Sequence, residues 1–249
     1  RERPAGLGAN YWKLFTASTM TNLGDGLMTV AVVWLASAIT RDPTMIAVVG
    51  LASRLPWLLF SLPAGVITDR YDRRLLVAWM DVLRVAVIGG FAVVVLLNQD
   101  RLPTPEELAS GTAPAPDNAG LLLVLLALAS FLIGFAEVIR DNSAQTLMAS
   151  VVDKVHLEKA NGRLWGAETA MNQFVGPPLG GAIVAIALAI PFFINAGLLA
   201  VGAALIFALT GTFRPKGQTT SGRIRWRAEM GEGFRWLWNH QLLRTLAML

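Results

Sequence analysis

Several long apolar stretches of this sequence carry ionisable or amide side chains well inside them. Such groups are costly in hydrocarbon, so they normally face a partner or a water-filled cavity. The set consists of Asn22, Asp25, Arg54, Asp81, Arg84, Glu168, Asn172 and Gln173. A carboxylate in such a set can carry a proton, and the amides can bind a polar solute. We therefore interpret these residues as the candidate lining of a proton and substrate cavity.

Two pairs within this set suggest specific contacts. Asp25 and Arg54 lie at similar depth in consecutive stretches that run in opposite directions, so we expect them to meet. Asp81 and Arg84 are three residues apart, which places them on the same side of a helix. Two interpretations stay open for these acids: a proton carrier, for which Asp25 is the preferred residue, and an ion pair that holds helices in register.

The stretches that hold these residues are typical of membrane-spanning helices. The chain is 54% hydrophobic and 15% charged, whereas soluble domains average about 25% charged residues. Six runs reach the roughly 20 residues that a span needs, and they are continuous rather than alternating, which favours helices over barrel strands. They cover residues 12–38, 45–68, 75–97, 120–139, 163–187 and 190–210. The sequence therefore predicts an all-α integral membrane protein, with a six-transmembrane-helix bundle in residues 1–210.

The basic residues predict how this bundle is oriented. Lysine and arginine concentrate on the cytoplasmic side of membrane proteins. The side that holds the N-terminus carries nearly all of them, including the loop after the fourth span, to which we assign Arg140, Lys154, Lys159 and Arg163. The opposite side carries Arg41 and Arg101. This distribution places both ends in the cytoplasm and explains the net charge of +4 without nucleic acid as a partner.

The residues after the sixth span form two further segments. Residues 211–240 are a basic cytoplasmic connector, in which Trp226, Met230, Phe234 and Leu237 recur at helical spacing. This pattern predicts an amphipathic helix, either on the membrane surface or against the underside of the protein. Residues 241–249 are apolar again, so we expect them to begin a seventh span in a longer chain.

The turn between spans 2 and 3 contains a glycine, an aspartate and several arginines at defined spacing. The segment Gly65-Val66-Ile67-Thr68-Asp69-Arg70-Tyr71-Asp72-Arg73-Arg74 resembles the G-x-x-x-D-R-x-x-R-[RK] signature of the major facilitator superfamily. The resemblance implies a conformational-switch motif comprising Gly65, Asp69, Arg70, Arg73 and Arg74. The glycine would allow close helix approach, and the aspartate would face a helix N-terminus in a second half. Arg73 would pair with Glu137 or Asp141, and simple cytoplasmic anchoring of the arginines is the alternative.

The fifth span contains a second motif, Gly176-Pro177-Pro178-Leu179-Gly180-Gly181. It resembles the G-P-x-x-G-G end of the motif that marks the exporter branches of the same superfamily. Asn172 stands where that motif has an earlier glycine, so the match is partial. We interpret Gly176, Pro177, Gly180 and Gly181 as a helix-packing motif, and a plain structural kink is the alternative.

The resemblance implies the N-terminal half of a 12-helix fold in a bacterial plasma membrane. Leu55-Pro56-Trp57, residues 140–147, Ala160-Asn161-Gly162 and Gly176-Pro177 look like the siderophore-exporter and macrolide-efflux branch. Its implied activity is proton-coupled export of small amphipathic molecules by alternating access. The implied partners are the lipid bilayer, a small-molecule substrate and the missing C-terminal six-helix half. An importer or uniporter of the same fold, and a truncated half that does not transport, remain alternatives.

Enzyme chemistry has little support in this sequence. His156 and His240 have no partner set that would make a metal site, and no phosphate-binding loop of the G-x-x-x-x-G-K-[ST] type occurs. We expect no cofactor and no metal, with a proton gradient as the energy source.

Overall fold

Antiparallel helices account for most of the protein in the computed structural model, which describes residues 7–104, 107, 110 and 116–214. Four long helices come first: α1 Gly8–Ile39, α2 Pro43–Thr68, α3 Arg73–Leu97 and α4 Ala119–Val151. Then follow α5 Leu157–Thr169, a π turn Ala170–Val175, α6 Gly176–Val184 and α7 Ile190–Phe207. Short 3-10 turns cover Gln99–Arg101 and Lys154–His156.

Five of these helices, α1 to α4 and α7, are long and apolar enough to cross a membrane. The sixth predicted span is the continuous helical segment formed by α5, the π turn and α6. The predicted all-α half-bundle of about six helices is therefore confirmed. The connector beyond residue 214, its amphipathic stretch and the predicted seventh span at 241–249 lie outside the described residues.

Aspartate caps define where α2 and α3 begin. The Asp42 carboxylate accepts a hydrogen bond from the Thr44 amide at 2.8 Å, immediately before α2. The Asp72 carboxylate accepts from the amides of Arg74 at 3.0 Å and Leu75 at 3.3 Å. Such caps satisfy amides that have no partner inside the helix. The Asp72 cap lets α3 begin directly after the short turn 69–72 that follows α2.

The π turn in the fifth span follows from the two prolines after it. Proline has no amide hydrogen, and its ring clashes with the carbonyl four residues earlier. Pro177 and Pro178 therefore disturb the turn around Gln173 and Phe174, where the helix widens to π geometry. The kink predicted from the prolines takes this form.

Two apolar cores lie at opposite ends of the bundle. The end where α1 begins and α2 terminates, here called the basic end, has a core that includes Tyr11, Leu14, Val77, Leu147 and Ile206. The other core includes Leu35, Ile88, Phe91, Leu126 and Leu199. Charged residues occupy the level between them on α1, α3 and α4. At about 1.5 Å per residue, Asp25 lies close to the middle of α1.

Candidate functional site

A chain of buried charges crosses the bundle between the two cores. Arg84 of α3 is paired with Asp25 of α1. The other guanidinium nitrogen of Arg84 lies 3.7 Å from the Asp81 carboxylate. Asp81 is also 3.6 Å from Nε of Arg140 on α4, and Arg140 Nη1 donates to Asp141 at 3.0 Å. These pairs join three helices through two arginines.

Arg140 is the residue of this network that the sequence analysis misplaced. It is only 3% exposed and lies inside α4, which continues to Val151 rather than ending near residue 139. Its Nη2 donates to the hydroxyls of Ser18 at 3.2 Å and Thr21 at 2.9 Å on α1. The assignment of Arg140 to a loop was therefore wrong. The buried positions after it recur at three- and four-residue steps, which indicates that the helix continues, and they are Ser143, Ala144, Leu147 and Met148.

Two carboxylates near this network have no arginine of their own. Glu137, one turn before Arg140, forms no hydrogen bond or ion pair with another described residue. Glu168 of α5 lies within hydrogen-bonding reach of the Ser18 hydroxyl. Both arginines of the network, Arg84 and Arg140, are already paired with aspartates, namely Asp25, Asp81 and Asp141. The acidic groups of the network therefore outnumber the basic ones.

A cavity of about 600 Å³ adjoins the network between α1, α4 and α5. Its lining combines polar and apolar groups, with two carboxylates, one guanidinium, three amides and one tryptophan among the residues. The lining residues are Asn22, Arg140, Asp141, Ala144, Gln145, Met148, Asn161, Gly162, Leu164, Trp165 and Glu168. Such a mixture of apolar and convergent polar groups is typical of small-molecule sites. No three His, Cys, Asp or Glu side chains among the described residues are arranged to hold a metal ion.

Similarity to known proteins identifies the class of protein to which this site belongs. A family model described as a transmembrane secretion effector, within the major facilitator superfamily, matches residues 8–246. The chain belongs to this transporter family. It is also similar to the multidrug efflux pump Tap of Mycobacterium bovis and Mycobacterium tuberculosis, with 28% identity over 94% of this chain and 52% of that protein. The chain thus spans about half the length of these relatives.

The predicted contact between Asp25 and Arg54 does not occur. Asp25 is paired with Arg84, and Arg54 is exposed on α2 without an ion pair to any described residue. The reason is the direction of the two arginines, because Arg54 lies on the exposed side of α2, whereas Arg84 is buried inside the bundle beside Asp25. The pair of Asp81 and Arg84, in contrast, is on one helix side as predicted.

The motif between α2 and α3 makes other contacts than those expected. Arg73 donates to the Ser150 hydroxyl at 3.3 Å rather than to Glu137 or Asp141. Because α4 extends to Val151, both acids lie at least two turns deeper in the bundle. Arg74 donates to the carbonyl of Leu209 at 2.7 Å, at the end of α7.

Asp69 and Gly65 of this motif make no close side-chain contact with another described helix. Asp69 is exposed and forms no ion pair with a described residue, and Arg70 is partly buried. A Cβ atom placed on Gly65 would meet nothing within 4 Å among the described residues. Its predicted close helix approach therefore does not take place within this part of the protein.

The motif of the fifth span packs directly on α1 through two of its three glycines. A Cβ atom on Gly176 would lie 2.5 Å from the Cα of Gly26, and one on Gly180 would lie 2.5 Å from the carbonyl of Leu27. A Cβ atom on Gly181 would make only an ordinary van der Waals contact, 3.9 Å from a methyl carbon of Val30. The close packing predicted for this motif thus involves Gly176 and Gly180, with Pro177 beside them.

Of the amides that were predicted to line the cavity, only some do so in the structure. Asn172 of the π turn donates to the side-chain oxygen of Asn22 at 3.5 Å, which joins the fifth span to α1. Asn22 lines the cavity, whereas Gln173 is exposed and is not part of the lining. Gln145 and Asn161, which were not predicted to line the cavity, contribute amides instead.

Proposed function

We propose that the complete protein is a proton-driven secondary transporter that exports small amphipathic molecules by alternating access. In this mechanism two six-helix halves rock around a shared site near mid-membrane. The described helices would be one half, and a second six-helix half would supply the opposite wall. The observation that carries the proposal is the buried charge network beside the 600 Å³ cavity.

The exposed surface of α2 supports a partner for this half. Leu51, Leu58 and Leu62 are 62%, 81% and 64% exposed on α2. Exposed apolar side chains at this density require lipid or another helix bundle around them. Asp69 and Gly65, which face no described helix, would contact the second half in the same way.

Outward transport is supported by two similarities. The family model is described as a secretion effector, and Tap is named as a multidrug efflux pump. Lys13, Arg70, Arg73, Arg74 and Lys159 all lie at the basic end, so this end would face the cytoplasm. The protein would then export from the cytoplasm across a bacterial plasma membrane.

Proton coupling would use the ion pair between Asp25 and Arg84. A proton on the Asp25 carboxylate removes its charge and releases Arg84, which retains Asp81 on its own helix at 3.7 Å. Loss of this pair removes a tie between α1 and α3 and changes the charge of the network, and this change would be coupled to the rocking of the two halves. Deprotonation restores the pair. Glu137 lies nearby as a second proton acceptor without an arginine of its own.

The test is substrate-driven proton movement by the complete gene product in liposomes that contain a pH dye. A panel of amphipathic drugs and siderophores serves as substrates. We expect a substrate-dependent pH change that is lost in Asp25→Asn and retained in Asp42→Asn, because Asp42 is exposed and asparagine also caps helices. Normal coupled efflux in Asp25→Asn would contradict the role of this carboxylate. No pH change with any substrate would contradict proton coupling and favour a uniporter or another ion.

A further inference from the structure

The charges around the cavity leave no guanidinium available for a substrate. The only arginine in the described lining is Arg140. Its Nη1 and Nη2 atoms donate to Asp141, Ser18 and Thr21, and its Nε is buried 3.6 Å from the Asp81 carboxylate. Arg84, behind it, is held by two aspartates. No lysine lines the cavity within the described residues. An anionic molecule entering this space would therefore lose water without gaining a cationic partner among the described residues.

Glu168 offers a negative charge to a molecule in the cavity. Its carboxylate lines the cavity together with Arg140, which attracts it electrostatically but forms no ion pair with it, and the Ser18 hydroxyl is within hydrogen-bonding reach. Trp165 lies three residues earlier on the same face of α5 and is 72% exposed. A carboxylate beside an open indole face binds an organic cation both by charge and by cation–π attraction.

We propose, resting on the proposed function, that the transported molecule is an organic cation and that Glu168 with Trp165 recognises its positive group. The apolar body of the molecule would contact Met148 and Leu164, which are the apolar lining on α4 and α5. The amides of Asn22, Gln145 and Asn161 would meet its polar substituents. Anionic molecules of similar size would be rejected.

Three probes that differ only in charge test this proposal: pyrenebutyl trimethylammonium, pyrenebutanol and pyrenebutyrate. Their binding to the complete gene product in lipid nanodiscs is measured by energy transfer from tryptophan to pyrene, with empty nanodiscs subtracted. We expect the ammonium to bind most tightly and the carboxylate most weakly. Glu168→Gln should weaken binding of the ammonium about tenfold, which corresponds to about 1.4 kcal/mol, and leave the alcohol unchanged.

Glu158→Gln is the matched control, because Glu158 is exposed near the start of the same helix and does not line the cavity. It should bind all three probes like the wild type. Equal weakening of all three probes by Glu168→Gln would show a structural role and overturn the proposal. Tighter binding of the carboxylate than of the ammonium would also overturn it. Both results would concern charge recognition alone if the complete protein still transports substrates in liposomes. The absence of transport with every substrate would instead contradict the proposed function.

Discussion

Replacing Gly176 with alanine tests whether α1 and α6 are in direct backbone contact. The added Cβ would lie 2.5 Å from the Cα and 2.7 Å from the carbonyl carbon of Gly26. Non-bonded carbons prefer about 3.5–4.0 Å, so the helices would have to separate by about 1 Å. Both obstructing atoms belong to the backbone, so no side-chain rotation can relieve the clash. Overpacking of this kind costs about 1–3 kcal/mol.

The best control for this variant lies five residues along the same motif. Gly181→Ala places its Cβ at an ordinary distance of 3.9 Å from Val30. Both variants gain about 1 kcal/mol from the higher helix propensity of alanine, so that gain cancels in the difference between them. The clash at Gly176 should therefore appear as a difference of about 1–3 kcal/mol.

Thermal unfolding of the purified protein, followed by tryptophan fluorescence in one detergent, measures this difference. At roughly 2–4 °C per kcal/mol, we expect Gly176→Ala to melt several degrees below Gly181→Ala. Gly180→Ala should resemble Gly176→Ala, because its Cβ would lie 2.5 Å from the carbonyl of Leu27. Equal melting temperatures for all three variants would refute the direct contact between α1 and α6.

Two further changes test the charge network and the basic end. Arg140→Gln should cost about 3–5 kcal/mol, since Asp81 then loses a partner 3.6 Å away, and adding Asp81→Asn should recover part of this loss. Arg54→Gln, at an exposed arginine, is the control and should change the melting temperature little. A loss of stability in Arg54→Gln as large as that in Arg140→Gln would contradict the role of the buried network. Lys13→Gln should cost about 0.3–1 kcal/mol in the same unfolding assay. Its ammonium donates to the Ala208 carbonyl at 2.6 Å, after the end of α7, and an unchanged melting temperature would argue against this cap.

Local features of the sequence predicted most of the architecture. The length and hydropathy of the runs predicted the number and type of helices, because a span must satisfy its own backbone hydrogen bonds. The spacing of Asp81 and Arg84 predicted that they share a helix face, since residues three apart on a helix are always neighbours. The run Gly176-Pro177-Pro178 predicted a disturbance of the fifth span, which the structure resolves as a π turn.

Local features of the sequence could not predict which charged residues pair with each other. Neighbouring residues on a helix point about 100° apart, so a small change in helix rotation decides whether Asp25 meets Arg54 or Arg84. The end of α4 was also misjudged, because Arg140 and Asp141 lower the local hydropathy although the helix continues.

The sequence by itself determined that this chain is a bundle of membrane helices with charges at their centres, because hydropathy and helical period are local properties. Only the tertiary structure decided that two arginines serve three aspartates, that Glu137 and Glu168 have no arginine of their own, and that two of three motif glycines touch α1. Those outcomes depend on how far each helix is rotated and shifted against its neighbours. Rotation and shift are set by the packing of all helices together.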